Sequence, residues 1–333
     1  MSGRRERPNR ERAARAPEPA RGVPRAERPR PVPEGPHRSG FAVLLGRPNV
    51  GKSTLLNRLV GEHVAIVSPR PQTTRTRITG IRHLPSAQII FVDTPGLHPG
   101  SGRLGQLMSK TAERAVEDVD LVCFVAEATE DPARLDREAL DRLKACRAPV
   151  FCCLNKTDLV SAKARLLPLI AAYRVAYPFA EIVPISAERG EHCDRLLELI
   201  VAALPERPPY FPPDALTDQP ETFWVAEAIR EKIFRLTHQE VPYACAVRVE
   251  ELTERRRPEC LYIRAIIFVE RESQRGIVIG KGASMLKRIG AAARADLERF
   301  FGIKVFLDLT VRVRSEWRKD DRALREFGFL LTS

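Results

Sequence analysis

The sequence predicts an α/β protein in two parts. A doubly wound, mostly parallel sheet is organised around a phosphate-binding loop, and a smaller α+β domain follows it. Three observations carry this reading. Gly46-Arg47-Pro48-Asn49-Val50-Gly51-Lys52-Ser53 fits G-x-x-x-x-G-K-[ST] at every fixed position. Apolar runs alternate with helical patterns from 41 to 204, as expected of a sheet covered on both faces. A stretch with six prolines in residues 204–221 then precedes a segment of different character.

Taken in order, Phe41–Leu45 reads as a buried strand running into the loop, and Leu55, Leu56, Leu59 and Val60 recur at helical spacing behind it. Strand, loop and helix in that order turn several backbone N–H groups toward one point at a helix N-terminus, where partial positive charge favours phosphate. Gly46 to Ser53, with Thr54 beside them, are therefore candidates for a nucleotide site. Lys52 would reach the β- and γ-phosphates and Ser53 would ligate Mg²⁺. The bland alternative is a chance match in a glycine-containing loop.

Further strands are expected at Ile78–His83, Ala87–Val92, Leu121–Glu127, Val150–Leu154 and Ile182–Ile185, with helices between most of them. Ligands of such sheets sit beyond the carboxyl ends of the strands. Asp93-Thr94-Pro95-Gly96 lies at one such end: the carboxylate can hold Mg²⁺ through water, and the Gly96 N–H can approach a γ-phosphate. Asp before Thr-Pro-Gly is also ordinary turn chemistry. Asn155-Lys156-Thr157-Asp158 lies at another. Asp158 can accept from both N1–H and the 2-amino group of guanine, a match that adenine lacks. Lys156 would pack along the base, Asn155 would brace the loop, and Ser186-Ala187 would place a backbone N–H near the guanine oxygen. Within Pro71-Gln72-Thr73-Thr74-Arg75, Thr74 is preferred over Thr73 to complete the Mg²⁺ shell when GTP is bound and to let go after hydrolysis.

Composition bounds the setting. The 333 residues are enough for two cores. The net charge of +12 is uneven: residues 1–40 carry 11 Arg and 5 Glu, residues 41–221 carry 22 basic and 22 acidic groups, and residues 222–333 carry 22 basic and 16 acidic. Polyanion contact is expected at the basic ends. Residues 1–39 hold almost no large apolar groups and are expected to form a disordered basic tail, either passive or weakly attracted to RNA. The seven cysteines show no C-x-x-C pair and no zinc spacing, which suits a reducing cytosol. No apolar run is long enough to span a bilayer, and no signal-peptide core is seen at the N-terminus.

The set G-R-P-N-V-G-K-S, Q-T-T-R, D-T-P-G-L-H, N-K-T-D and S-A resembles the translation-factor-related GTPases, and most closely the Era GTPases, over about residues 41 to 330. The resemblance implies a Ras-like G domain of the P-loop NTPase class that hydrolyses GTP to GDP and phosphate. It also draws attention to Leu97, which borders the nucleotide where Ras-like enzymes place a water-orienting Gln. Relatives with this substitution can use a bound K⁺, held partly by an Asn that matches Asn49. Asn49 thereby joins Lys52 and Gly96 among the residues expected to act in catalysis; otherwise it only shapes the turn.

The proline-rich stretch reads as an extended linker whose Tyr210 and Phe211 tack it onto a neighbour. Beyond it the pattern runs helix, two strands joined by a charged turn at 254–258, a Gly-rich loop between two helices, a strand from Ile303 to Val313 and a helix near 316–327. This order resembles a type II KH domain, and His238-Gln239-Glu240-Val241-Pro242-Tyr243 strengthens the match. KH loops clamp backbone nucleotides of single-stranded RNA. The aligned loop is Gly280-Lys281-Gly282-Ala283, with Ala where the family pattern G-x-x-G ends; the methyl group is tolerable if φ stays below zero. Lys281, Lys287 and Arg288 would supply phosphate contacts. The alternative is a KH-like module kept for packing or protein contact.

The resulting expectation is a tail (1–39), a GTPase domain (40–204), a linker (205–221) and an RNA-binding KH domain (222–333). The resemblance implies action in small ribosomal subunit assembly, on the 3′ end of small-subunit ribosomal RNA within the 30S subunit. It implies a monomer in the cytoplasm with peripheral contact at the inner face of the membrane. Two other readings remain at this point: an RNA-binding scaffold holding nucleotide as a structural ligand, and a small-molecule kinase or ATPase.

Overall fold

The computed structural model describes residues 36–68, 70, 73–96, 102–144, 146–256 and 259–329. Its first sheet has six strands: β1 (Arg38–Leu45), β2 (Ile78–Leu84), β3 (Ala87–Asp93), β4 (Leu121–Glu127), β5 (Val150–Asn155) and β6 (Glu181–Pro184), in the order β2-β3-β1-β4-β5-β6. Only β2 runs antiparallel to its neighbour. Alternate β1 residues serve opposite faces. Ala42 and Leu44 pack with α1 (Lys52–Val60) and α5 (Cys193–Ala203), while Val43 and Leu45 pack toward α2 (Gly102–Arg114), α3 (Arg137–Leu143) and α4 (Leu166–Ala176). A strand covered on both sides needs apolar groups at every position, which is why it stands out in the sequence as an unbroken run. The adjacent Cys152 and Cys153 are buried on opposite faces of β5 for the same reason.

Strand β1 begins at Arg38, before the expected Phe41 and inside the stretch assigned to a disordered tail. Its first residues carry no apolar pattern. They are held by the chain that leaves α5: the Ser39 N–H donates to Pro205 O at 3.1 Å, and Arg38 pairs with Glu206. Residues 1–35 lie outside the described residues.

The proline-rich segment is tied down along the β2 side of the sheet. Tyr210 and Phe211 N–H groups both donate to Gln88 Oε1, and the Tyr210 ring sits 5.2 Å from that of Phe41. Farther on, the Ile81 N–H donates to Leu216 O at 2.9 Å, and Thr217 Oγ1 donates to Thr79 O at 2.6 Å. Since β2 is an edge strand, these bonds also satisfy backbone groups that would otherwise form an open edge.

The second sheet has three strands in the order β7 (Ala246–Arg256), β8 (Glu259–Val269) and β9 (Val305–Val313), with β8 parallel to β9. One face is covered by α6 (Glu221–Leu236), α8 (Glu272–Ile279) and α9 (Ser284–Phe301) through Ile229, Ile233, Val278, Ile289 and Leu297. A short helix, α7 (Val241–Ala244), links α6 to β7. The expected last helix divides in two. A 3₁₀ turn at Trp317–Lys319 precedes α10 (Asp321–Glu326), whose first turn is capped by Asp320. Trp317 is fully buried, and its indole N–H donates to Ala244 O at 2.8 Å.

The other face of this sheet carries Ala246, Ile266 and Phe268, which pack with Trp317 and Leu324 and also with Leu104 and Met108 of α2. The two parts therefore share a small apolar core, reinforced by Arg103, whose guanidinium donates to both carboxylate oxygens of Asp321 at 2.8 and 2.9 Å.

Candidate functional site

The loop after β1 folds around Lys52. Its ammonium, 6% exposed, donates to the carbonyls of Gly46 and Arg47 at 3.0 and 2.9 Å. Burial lowers its pKa to about 8, and Asp93 opposes the shift. Arg47 turns its side chain outward to Asp136, with 2.6 Å from Nε to Oδ2, so it contributes backbone rather than charge to the loop. Asn49 adopts φ 66°, a left-handed conformation that Asn tolerates better than most residues. Val50 is buried, and Thr54 follows Ser53 in the first turn of α1.

Ser53, Thr74 and Asp93 meet beside Lys52. Ser53 Oγ donates to Asp93 Oδ2 at 2.6 Å, Thr74 Oγ1 donates to the same oxygen at 3.1 Å, and the two hydroxyls lie 3.0 Å apart. Asp93 is fully buried, and its other oxygen, Oδ1, has no hydrogen-bond partner among the described residues. Burial raises the Asp93 pKa, while Lys52, Ser53 and Thr74 pull it down. A buried carboxylate with one unpaired oxygen and two hydroxyls alongside is an all-oxygen set that suits a hard divalent cation. Thr73 points elsewhere, to Arg70 O at 2.8 Å. Thr94 Oγ1 donates to Leu44 O, pinning the turn after β3, and Pro95 is buried. Gly96 lies so close to the phosphate loop that a Cβ there would stand 2.6 Å from Pro48 N, so only glycine fits. Leu97 lies outside the described residues, as do Pro71, Gln72 and His98.

At the far side of the loop Asn155 ties two halves together. Its Nδ2 donates to Val50 O at 2.8 Å, and its Oδ1 accepts from the Ala187 N–H at 2.9 Å. Within the Ser186-Ala187 pair the Ala187 N–H is engaged by Asn155, because the end of β5 and the turn after β6 lie side by side. Asp158 is oriented by Ser186, whose hydroxyl donates to Oδ1 at 2.6 Å. Lys156 adopts a left-handed conformation, and its ammonium makes a close ion pair with Glu127 at the end of β4. Glu127 and Asp136 carry no motif of their own; only the sheet order brings them here.

Arg75 is the residue that sequence reasoning left without a role. Its side chain crosses to the second part of the chain, where Nη1 donates to Cys245 O at 2.7 Å and Nη2 to Pro242 O and Tyr243 O at 3.0 Å each. It is 5% exposed and stands 5.5 Å from the centre of the Phe234 ring. Burial, with Arg230 nearby, lowers its pKa to about 9, which leaves it charged at neutral pH.

The second candidate site is the loop between α8 and α9. Gly280 has φ 73° and ψ 168°, a combination essentially confined to glycine. Ala283 has φ 61°, so the condition under which its methyl group is harmless is not met. The reason is local: Ala283 is the N-cap of α9, and the chain must turn left-handed there to enter the helix from Gly282, itself at φ 60°. A left-handed alanine costs about 1–2 kcal/mol. Ala283→Gly is expected to stabilise the protein by about 1 kcal/mol, seen as a higher Tm of the C-terminal domain; an unchanged or lower Tm would contradict the strain. Lys281, Lys287 and Arg288 are all exposed, in the loop and in the first turns of α9. Among the described residues there is no group of three or more His, Cys, Asp or Glu that could hold a metal ion. No helix among them is long and apolar enough to cross a membrane.

Known proteins share this arrangement. A family described as 50S ribosome-binding GTPase matches residues 41–156, and the KH domain family matches residues 240–318. The chain is 53% identical over 296 residues to GTPase Era of Geobacter metallireducens, covering 89% of this chain and 99% of that protein. It is 46% identical over 291 residues to GTPase Era of Coxiella burnetii, covering 87% and 97%. Among solved structures, a variant of Aquifex aeolicus Era bound to GDP·AlF4⁻ superposes with a TM-score of 0.84 at 40% identity, covering 88% of this chain and 100% of that one. Era in complex with MgGDPNP and nucleotides 1506–1542 of 16S ribosomal RNA superposes with a TM-score of 0.85 at 40% identity, covering 89% and 100%.

Proposed function

Because the chain belongs to the Era family of GTPases, we propose that it is a GTP-hydrolysing switch that binds the 3′ end of small-subunit ribosomal RNA and acts in assembly of that subunit. The observation that carries the reading is the Asn155 bridge. It ties the loop built to hold phosphate, at Val50, to the Ser186-Ala187 turn whose hydroxyl aims the Asp158 carboxylate. A purine carrying donors at N1 and N2 would meet that carboxylate while its phosphates meet the amides around Gly51 and Lys52.

In this reading Lys52 neutralises charge on the β- and γ-phosphates, and the Gly96 N–H sits where the γ-phosphate would come against Pro48. Ser53, Asp93 and Thr74 would hold Mg²⁺, which, when bound, neutralises developing phosphate charge. Hydrolysis of GTP to GDP would release Thr74 and the chain around it. Lys281, Lys287 and Arg288 would contact RNA phosphates at the loop before α9, with Gly280, Gly282 and Ala283 supplying the backbone that approaches them. The protein works as a monomer in the cytoplasm. Its basic exposed surface gives it peripheral affinity for the anionic inner face of the membrane.

Asn49 would help hold a K⁺ ion near the β- and γ-phosphates, supplying charge where other GTPases insert an arginine. Turnover in K⁺ is then expected to exceed turnover in Na⁺ of equal ionic strength by about tenfold or more; equal rates would remove Asn49 from the mechanism.

The central test is equilibrium binding of a short 3′-end ribosomal RNA to the GTP-analogue, GDP and nucleotide-free forms, alongside multiple-turnover phosphate release. A switch requires RNA affinity to differ between states by about fivefold or more. Equal affinity in all three, or binding without turnover, would point to a scaffold with a structural nucleotide instead.

A further inference from the structure

The chain around Thr74 is gripped by the C-terminal domain on both sides. Upstream, Arg70 donates to Thr237 O and lies 3.0 Å from His238 Nδ1, while Arg235 of α6 reaches back to Val67 O at 3.2 Å. Thr73 closes the segment on itself through Arg70 O. Downstream, Arg75 caps carbonyls of α7 and of its C-cap residue Cys245, groups with no partner inside a helix. Arg230, paired to Glu227 through both nitrogens of its fork, faces the same Phe234 ring and fixes the wall against which Arg75 rests. Between these anchors stands Thr74, whose hydroxyl reaches Asp93.

We propose that Arg75 is a positioning residue for Thr74: by docking into the backbone of the α7–β7 corner it holds the Thr74 hydroxyl at the Asp93 site, so that full hydrolytic competence requires the C-terminal domain to be seated. The dependence runs in both directions. Whatever the seated domain contributes to placing Thr74, a nucleotide that engages Thr74 returns to the seating of the domain, since linked equilibria are reciprocal. A planar guanidinium is required because three carbonyls must be met at once; an ammonium is a point charge on a flexible stem and cannot span them in the same geometry. The proposal rests on the GTPase reading above.

The test uses the full-length chain with Arg75→Ala, Arg75→Lys, Thr74→Ala and the double variant Arg75→Ala/Thr74→Ala. In Arg75→Ala, kcat for GTP is expected to fall about tenfold or more with KM and GDP affinity near wild type, because the guanine and phosphate-loop contacts are untouched. The Mg²⁺ concentration for half-maximal rate should rise. Arg75→Lys should not restore the rate. In the Thr74→Ala background, loss of Arg75 should have no further effect on kcat, which a merely structural role would not produce. RNA affinity should become the same in the GTP-analogue and GDP forms.

Additive effects in the double variant, a wild-type kcat in Arg75→Ala, or full rescue by lysine would overturn the proposal. Should Arg75→Ala fail to fold, Arg70→Ala tests the same clamp from its other end, with the same split between kcat and KM expected and an unchanged kcat counting against it. A wild-type chain that turned over no GTP would instead remove the functional reading itself.

Discussion

Asp158→Asn should cost the protein its preference for guanine nucleotides, lowering GTP affinity by about 10³-fold or more while leaving weak ATP binding unchanged. The substitution keeps the shape of the side chain, and Ser186 Oγ can still donate to the remaining oxygen, as it does to Asp158 Oδ1 at 2.6 Å. The amide nitrogen is then turned toward the base. There it meets N1–H and the 2-amino group, donor against donors, where the carboxylate accepted from both. A purine nucleotide with an oxo group at position 2 presents an acceptor to that amide and should recover part of the lost affinity. Competition binding with the four nucleoside triphosphates and the 2-oxo analogue would measure this. If the order of preference between GTP and ATP were unchanged, Asp158 would not be the selecting group.

Asp93→Asn should reduce Mg²⁺-dependent turnover by about 10²-fold or more, several kcal/mol of charge stabilisation being at stake, while guanine preference is retained. The carboxylate takes both hydroxyls, Ser53 and Thr74, on Oδ2 and leaves Oδ1 buried without a partner among the described residues. Burial raises its pKa while Lys52, Ser53 and Thr74 pull it down, so a cation bound at Oδ1 would further favour the charged form. The neutral amide fills the same space but offers a cation one oxygen and no charge. Differential scanning of the apo and loaded protein supplies a second readout. Mg²⁺ with a non-hydrolysable GTP analogue should raise the Tm of the wild type clearly more than that of the variant, because only a ligand that binds the native state stabilises it. Equal shifts would place the cation elsewhere.

The first sheet was legible because its central strands are buried on both faces and therefore spell out continuous apolar runs, as Phe41–Leu45 and Val150–Leu154 do. The phosphate loop was legible because spacing alone brings Gly46, Gly51, Lys52 and Ser53 to one turn. Nothing in residue type distinguishes Thr74 from Thr73, and the structure separates the two by geometry: one reaches Asp93 and the other a neighbouring carbonyl. What could not be read were pairings made across the fold. Glu127 meets Lys156 because β4 and β5 are neighbours, and Asp136 meets Arg47 only once α3 is in place. Arg75 belongs to this class, since its partners are backbone carbonyls, which leave no trace in side-chain identity. The start of β1 was missed for the same reason: Arg38 and Ser39 are held by backbone partners in 205–206. Ala283 illustrates the limit of motif matching: the sequence sets the condition under which its methyl group is harmless, and only the turn into α9 shows that the condition is not met.

The fastening of the proline-rich segment governs how far the two parts can separate. Its nominal length suggests a long leash, yet it is bonded to the sheet as far as Thr217, and α6 starts at Glu221. Only four links lie between, and fully stretched they reach about 14 Å. Any reorientation on nucleotide exchange must therefore swivel about residues 218–220 beside the β2 edge, with the far end of the RNA-binding lobe sweeping an arc around that point. A tether so short limits distance rather than direction, and keeps the released lobe within recapture distance of the surface it left.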